Sequence, residues 1–281
     1  MHERGLTADS RLRPTRGIGV LVTALLLAPA TAGPSPSVLE QEIRVRVSPT
    51  RVELRLAPGE RAVRPIEILN EGNESVEITA RLSDWTLAAD GSVTLAAAGS
   101  TDRSCAETIR MLPERMRVPA GGRAETVMIV EAPAATAGVR GTRWASVLFE
   151  LPDVLTVEGG EPLLLAVRMS TTVYVTPPDS VSANLSLAAP RGPQPSPILG
   201  AELSNPGETA RRFSMSWTVA DSNGTTVAEL EQTDQVILPW GRLRYRLPVP
   251  QALSGGEYDV TVRLIPHLGT PSSTAYLLHL P

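Results

Sequence analysis

The chain has 281 residues, with 26 Lys+Arg against 30 Asp+Glu for a formal charge of −4, and all of its basic side chains are arginine. An acidic chain without a basic run is a poor ligand for nucleic acid or anionic lipid, because both are bound largely by neutralising phosphates. A single cysteine, Cys105, excludes an intramolecular disulfide, and with His2, His267 and His279 as the sole histidines, Ser/His/Asp sets and His-based metal sites lack members.

The chain opens with Arg4, Arg11, Arg13 and Arg16, an apolar core from Gly17 to Leu27, and the small-residue run Ala28-Pro-Ala-Thr-Ala-Gly33. That order is a secretory signal, with cleavage expected after Ala32, so residues 1–32 are read as a signal peptide. A retained N-terminal anchor is the competing reading. The apolar core is shorter than the roughly 20 residues a membrane span requires, and no later stretch qualifies, so no span is expected in the mature chain. Removing the signal takes four arginines but only Glu3 and Asp9, which leaves the mature chain more acidic still.

From Ile43 onward the chain is a series of short alternating segments punctuated by Gly, Pro, Asn and Asp, with almost no helical periodicity. Strands are predicted at Ile43–Val47, Arg51–Leu56, Val63–Leu69, Val76–Trp85, Val93–Leu95, Ile109–Leu112, Arg115–Val118 and Glu125–Val130. Ala96 to Ser104, small and polar, is expected to be a loop. Two long strands, ending at Phe149 and Pro177, then enclose a short acidic loop carrying Asp153, Glu158 and Glu161. Thr176-Pro-Pro-Asp-Ser180 has the stiffness of a hinge, since consecutive prolines restrict the backbone and block ladder hydrogen bonds. Beyond it, strands are expected at Ser182–Leu187, Ile198–Ser204, Arg212–Val219, Thr226–Leu230, Gln235–Leu238, Leu243–Leu247, Tyr258–Ile265 and Ser273–Leu280. Asp221-Ser-Asn-Gly224 suits a hairpin turn, and the prolines of 190–197 make that stretch a loop. The fold class is therefore all-β, with two immunoglobulin-like β-sandwiches in tandem, 33–177 and 178–281, and no convincing sequence repeat between them.

Catalytic arrangements are absent from this pattern, and no enzyme activity or cofactor is expected. Cys105 has no histidine near it in sequence and reads as a structural thiol. Asp84, Asp90, Glu150 and Asp153 are scattered and read as solvated. Trp85, Trp144, Trp217 and Trp240 have the residue type that stacks on sugars, but core or corner positions account for them better.

The stretch Leu163-Leu-Leu-Ala-Val167 is apolar at successive positions, and Leu163, Leu165 and Val167 share one face of a strand. A strand apolar on both faces is either buried in a sandwich or lies at an edge where a partner strand can add to it. The three residues thus either dock into a partner or fill the domain's own core.

Several segments in order carry a resemblance: Val47-Ser-Pro-Thr-Arg-Val52, the strand ending in Asn70, Met111-Leu-Pro-Glu-Arg-Met-Arg-Val-Pro-Ala-Gly121, and the paired strands at 143–149 and 163–177. Over about residues 43–177 the chain resembles the N-terminal domain of periplasmic pilus-assembly chaperones, and residues 180–281 suit that family's second domain in fold alone. The resemblance implies that the chain holds pilin-like subunits by donor-strand complementation, with Leu163, Leu165 and Val167 as the donor residues, and that an outer-membrane usher is a further partner. It also implies that basic residues anchor the subunit's C-terminal carboxylate, and the first of these matches Arg51. The second is a lysine in the family, and its place falls on Thr172, which offers a hydrogen bond and no charge. Arg168 is the secondary candidate, but four residues along a strand from Thr172 is about 13 Å. The expected function is a non-enzymatic periplasmic chaperone for surface-fibre subunits; the alternative is a secreted structural or adhesive immunoglobulin-like protein.

Overall fold

The computed structural model describes residues 44–132, 140–152, 154–158, 161–165, 167–190, 198–249 and 253–281, with 154–158 and 161–165 as backbone. The expected signal peptide and most of the expected loop at 190–197 lie outside the described residues.

The β-branched, alternating segments form nineteen strands among the described residues, and the one helical element there is a 3-10 turn, Ala106–Thr108. The first twelve are β1 Val45–Ser48, β2 Arg51–Arg55, β3 Arg61–Asn70, β4 Val76–Leu87, β5 Val93–Ala97, β6 Ile109–Leu112, β7 Arg115–Val118, β8 Arg123–Glu131, β9 Arg143–Glu150, β10 Val154–Glu158, β11 Glu161–Leu165 and β12 Arg168–Thr176. The rest are β13 Ser186–Ala188, β14 Ile198–Ser204, β15 Arg211–Ala220, β16 Thr226–Ile237, β17 Arg242–Pro248, β18 Gly256–Pro266 and β19 Ser272–Leu280.

They build two immunoglobulin-like sandwiches. In the first, the sheet β1-β3-β8-β6 faces the sheet β2-β12-β9-β4-β5, with β7 added along β4. Alternation puts Ile66, Ile68, Ile78, Met128, Val147 and Phe149 inward, and all are buried in one core. In the second sandwich, β13-β14-β17 faces β16-β15-β18-β19 over Leu199, Phe213, Met215, Trp217, Val262 and Leu264. Each such side chain contributes about 1.5–3 kcal/mol through loss of its contact with water.

The structure departs from the sequence-based expectations in several places. Within the acidic stretch between Phe149 and Leu163, residues 154–158 and 161–162 are strand rather than loop: β10 and β11 pair there antiparallel, from Val154 opposite Leu165 to Glu158 opposite Glu161, and Asp153 lies outside the described residues. The long strand expected over 163–177 is two strands, with Val167 between them. The strands expected at Thr226–Leu230 and Gln235–Leu238 are one, β16, whose register against β15 shifts between Phe213 and Met215. Asp234 sits in that irregularity with φ 50°. Strand β13 covers three residues where six were expected. Asp84 is fully buried rather than solvated. A buried carboxylate must be hydrogen-bonded, and this one accepts from Thr101 N and Oγ1 and from Ser104 Oγ at 2.9, 3.1 and 2.6 Å, which pins the turn after β5.

Both sandwiches contain the same hydrogen-bond cage. Asn70 is buried; its Nδ2 donates to the carbonyls of Glu74, Val118 and Pro119, and its Oδ1 accepts from Gly72 N. Asn205 is equally buried; its Nδ2 donates to the carbonyls of Thr209 and Leu238, and its Oδ1 accepts from Gly207 N. The turns that close the cages match too: Gly121 N donates to Gly72 O and Trp240 N to Gly207 O.

The two sandwiches meet over a third, smaller core of Trp85, Trp144, Tyr174 and Leu238. Backbone bonds cross the junction, from Thr142 N to Glu208 O and from Arg244 N to Ala89 O. Gly141, at φ 80°, allows the first of these, because a Cβ there would lie 1.8 Å from Glu208 O.

Candidate functional site

Strand β2 runs parallel to β12, and the register sets Arg51 beside Thr172, Glu53 beside Tyr174 and Arg55 beside Thr176. Val52, Leu54, Val173 and Val175 point into the first core, so strand alternation sends Arg51, Glu53 and Thr172 to the opposite face. The two residues expected at the carboxylate anchor are therefore neighbours at the junction of the sandwiches.

Thr172 brings no charge to this place, but a second cation reaches it from β15. Arg212 Nε donates to Glu53 Oε1 at 2.7 Å, and its Nη1 donates to Asp234 O at 3.1 Å and to Asp234 Oδ1 at 3.3 Å. Arg51 Nη1 donates to Asp234 Oδ2 at 2.5 Å, and Arg51 Nε lies 3.3 Å from Glu53 Oε1. The guanidinium of Arg212 also lies over the Tyr174 ring, 5.6 Å from its centroid. The hydrogen bond from Arg51, the strongest influence on it, holds the Asp234 carboxyl below its ordinary range. Burial pushes the Tyr174 hydroxyl up to about 12, against the opposing pull of Arg212. Beside this cluster is a cleft of about 300 Å³, lined in part by Glu53, Thr142, Tyr174, Arg211, Arg212 and His267.

Sequence reasoning missed Arg212, Asp234 and Glu53 as members of this site. Glu53 was legible in principle, two positions from Arg51 on the same strand face. Arg212 and Asp234 were not: they lie 161 and 183 residues from Arg51, and the β16 irregularity that carries Asp234 has no pattern in the sequence.

Strands β9 and β12 pair from Arg143 opposite Val175 to Glu150 opposite Arg168, and β10 and β11 continue the hairpin outward. Along β12, β9 holds residues 168–175 and β2 holds residues 172–176, so only the second half of the strand is paired on both sides. Along β11 it is held by β10 alone, so among the described residues the other edge of β11 has no strand. Pro162 lies in β11, and a residue without an N–H suits an edge strand. Leu163 and Leu165 fall on one face of β11, opposite Thr156 and Val154 in the backbone register. Val167 is different: it is half-buried and packs against the first core. Arg168 is held at the far end of β12, its Nε 3.0 Å from Glu150 Oε1, and Glu150 Oε2 in turn meets Arg81 Nε at 2.9 Å.

Cys105 is buried, and burial pushes its thiol up to about 12, so it stays protonated and unreactive at neutral pH. No group of three or more His, Cys, Asp or Glu with the geometry of a metal site occurs among the described residues. Three tryptophans are core residues as expected; Trp240 is not, being 55% exposed with Arg103 stacked 4.2 Å from its ring centroid.

No family model and no curated protein matches this sequence. Among solved structures, the chain is similar to the YadV chaperone at 18% identity, covering 83% of this chain and 99% of that one with a TM-score of 0.45. It is similar also to a chain in the complex of the Salmonella enterica SafA pilin with the SafB chaperone, at 17% identity, 84% and 97% coverage and a TM-score of 0.45. The Pseudomonas aeruginosa CupB2 chaperone gives 16% identity, 82% and 98% coverage and a TM-score of 0.40. The likeness is thus to solved chaperone structures, at low identity and over most of the chain.

Proposed function

We propose that this chain is a non-enzymatic periplasmic chaperone that caps pilin-like subunits by lending them strand β11. The observation that carries the reading is the one-sided pairing of β11 at the end of a hairpin whose base, β9 and β12, is built into the first sandwich. An extended segment with a free edge gains affinity from main-chain hydrogen bonds and specificity from alternate side chains entering pockets. Leu163 and Leu165 have the residue type and spacing for those pockets. Val167, packed in part on the first core, ties the donor segment to its base. Arg51, at the junction of the sandwiches, receives the subunit's C-terminal carboxylate. The signal peptide expected at 1–32 accounts for export to the periplasm, and an outer-membrane usher is the acceptor to which such a chaperone delivers its subunits.

The test is Leu165→Asp in the full chain, purified from the periplasm and followed by identification of bound chains and by a melting curve. The expected result is loss of a small β-rich partner with the melting transition retained, because a charge on β11 disrupts docking without entering the sandwich core. A wild-type chain that captures no such partner, or an L165D chain that no longer folds, overturns the proposal; the second outcome would make β11 part of the chain's own core.

A further inference from the structure

One carboxylate, that of Asp234, is shared between two arginines, with Oδ2 on Arg51 and Oδ1 on Arg212. The parts of this arrangement are not equally fixed. The Arg212 side chain is only 14% exposed, held by Glu53 at 2.7 Å and laid over Tyr174, whereas the Asp234 side chain is 52% exposed. Asp234 is also held at φ 50°, a left-handed conformation that non-glycine residues adopt at a cost and that Asp and Asn bear best. Arg212 is thus the most buried side chain of the cluster, with Arg51 at 36% exposed, and of its two equally exposed carboxylates Asp234 is the one carried on strained backbone and so the removable one. With Asp234 withdrawn, Arg51, Arg212 and Glu53 would leave one net positive charge beside the cleft of about 300 Å³, enough for one carboxylate.

We propose that Arg51 and Arg212 form a two-arginine carboxylate site, that Asp234 fills it as a built-in competitor, and that the carboxylate of a captured chain enters by displacing Asp234. This rests on the chaperone reading above for the identity of the captured chain. Arg212, from the second sandwich, takes the part for which Thr172 lacks a charge. Exchange also releases the Arg51–Asp234 bond between the sandwiches, while the Arg212–Glu53 bond stays in place.

The experiment follows the guanidinium Nε–H signals of Arg51 and Arg212 by NMR in the full mature chain. The probes are a ten-residue peptide of alternating valine and serine with a free C-terminal carboxylate, the same peptide as its C-terminal amide, and an amide with one internal glutamate. The acid peptide is expected to move both arginine signals and the plain amide neither. D234N keeps a residue tolerant of φ 50° and removes the competing charge, so the acid peptide should bind about three- to fivefold more tightly, the scale of one exposed ion pair. R212Q should weaken the acid peptide by a similar factor and leave the amide unchanged. If the glutamate-bearing amide matches the acid, the site stands and its ligand is a side-chain carboxylate. Equal behaviour of acid and plain amide, an unmoved Arg212 signal, or D234N affinity equal to wild type overturns the site. Subunit capture that is indifferent to both D234N and R212Q removes this site but not the chaperone reading. Absence of any subunit capture, with the titrations as expected, removes the chaperone reading alone.

Discussion

Asn70 and Asn205 hold corresponding places in the two sandwiches, each at the end of a strand, each buried, and each bonded to the N–H two residues on and the carbonyl four residues on. A buried side-chain amide satisfies several backbone groups at once, so its loss strands those groups without water. Changing either asparagine to alanine is expected to lower stability by about 2–3 kcal/mol. Urea unfolding of N70A and N205A checks this, and losses no larger than that of an ordinary surface substitution would contradict it. The turns that close the cages differ in residue type. The first has Gly121 at φ 62°, whereas the second has Trp240 at φ 53°, a conformation that a bulky side chain adopts at a cost of about 1–3 kcal/mol. Trp240 offsets part of that cost through Arg103, which crosses from the first sandwich to stack on it and is itself held by the carbonyls of Arg140 and Thr142. Asn-Glu-Gly and Asn-Pro-Gly are visible in the sequence at 70–72 and 205–207, but with Trp240 in place of Gly121 the correspondence has too few identities to be seen without the hydrogen bonds.

Among the elements, the hairpin from β9 to β12 was legible in part. Apolar alternation marked both of its long strands, but the break at Val167 and the pairing of the acidic segment 154–158 were not marked, because Glu158 and Glu161 read as loop residues and only the register opposite β11 makes 154–158 a strand. Backbone N–H groups alternate sides along a strand, and those of an edge strand that point away from its single partner lack a bond. Pro162 has no N–H, and Leu164, two residues on, shares its orientation. If Pro162 marks the open side, the Leu164 amide points to the free edge. It should therefore exchange rapidly with deuterium in the free chain and become protected when a subunit is bound. Protection of Leu164 in the free chain would show that its edge is already paired.

At the scale of the whole molecule, each packed region carries a buried weak acid. Cys105 lies in the first core, Tyr174 at the junction, and Tyr245 and Tyr276 against the second core. Burial raises all four groups, Cys105, Tyr174 and Tyr245 to about 12. In the unfolded chain these groups ionise from their ordinary values, 9.0 for cysteine and 10.0 for tyrosine. The folded chain then holds more protons than the unfolded one, so stability present below pH 9 is lost as pH rises from about 9 to about 12. Melting temperature measured across that range should fall steadily, and Tyr174→Phe should make the fall shallower by removing the contribution of the junction. A flat profile would show that these groups are reached by water.

The sequence by itself determined the all-β class, the tandem sandwiches and most strand positions, because period-2 alternation and turn residues are local properties of the chain. Tertiary structure alone decided that β11, among the described residues, is paired on one side and residues 172–175 of β12 on both, since edges depend on which strands arrive from elsewhere in the sequence. It alone decided also that a second arginine and an aspartate stand beside Arg51, because Arg212 and Asp234 are brought there by the packing of one sandwich on the other, and no spacing along the chain records that contact.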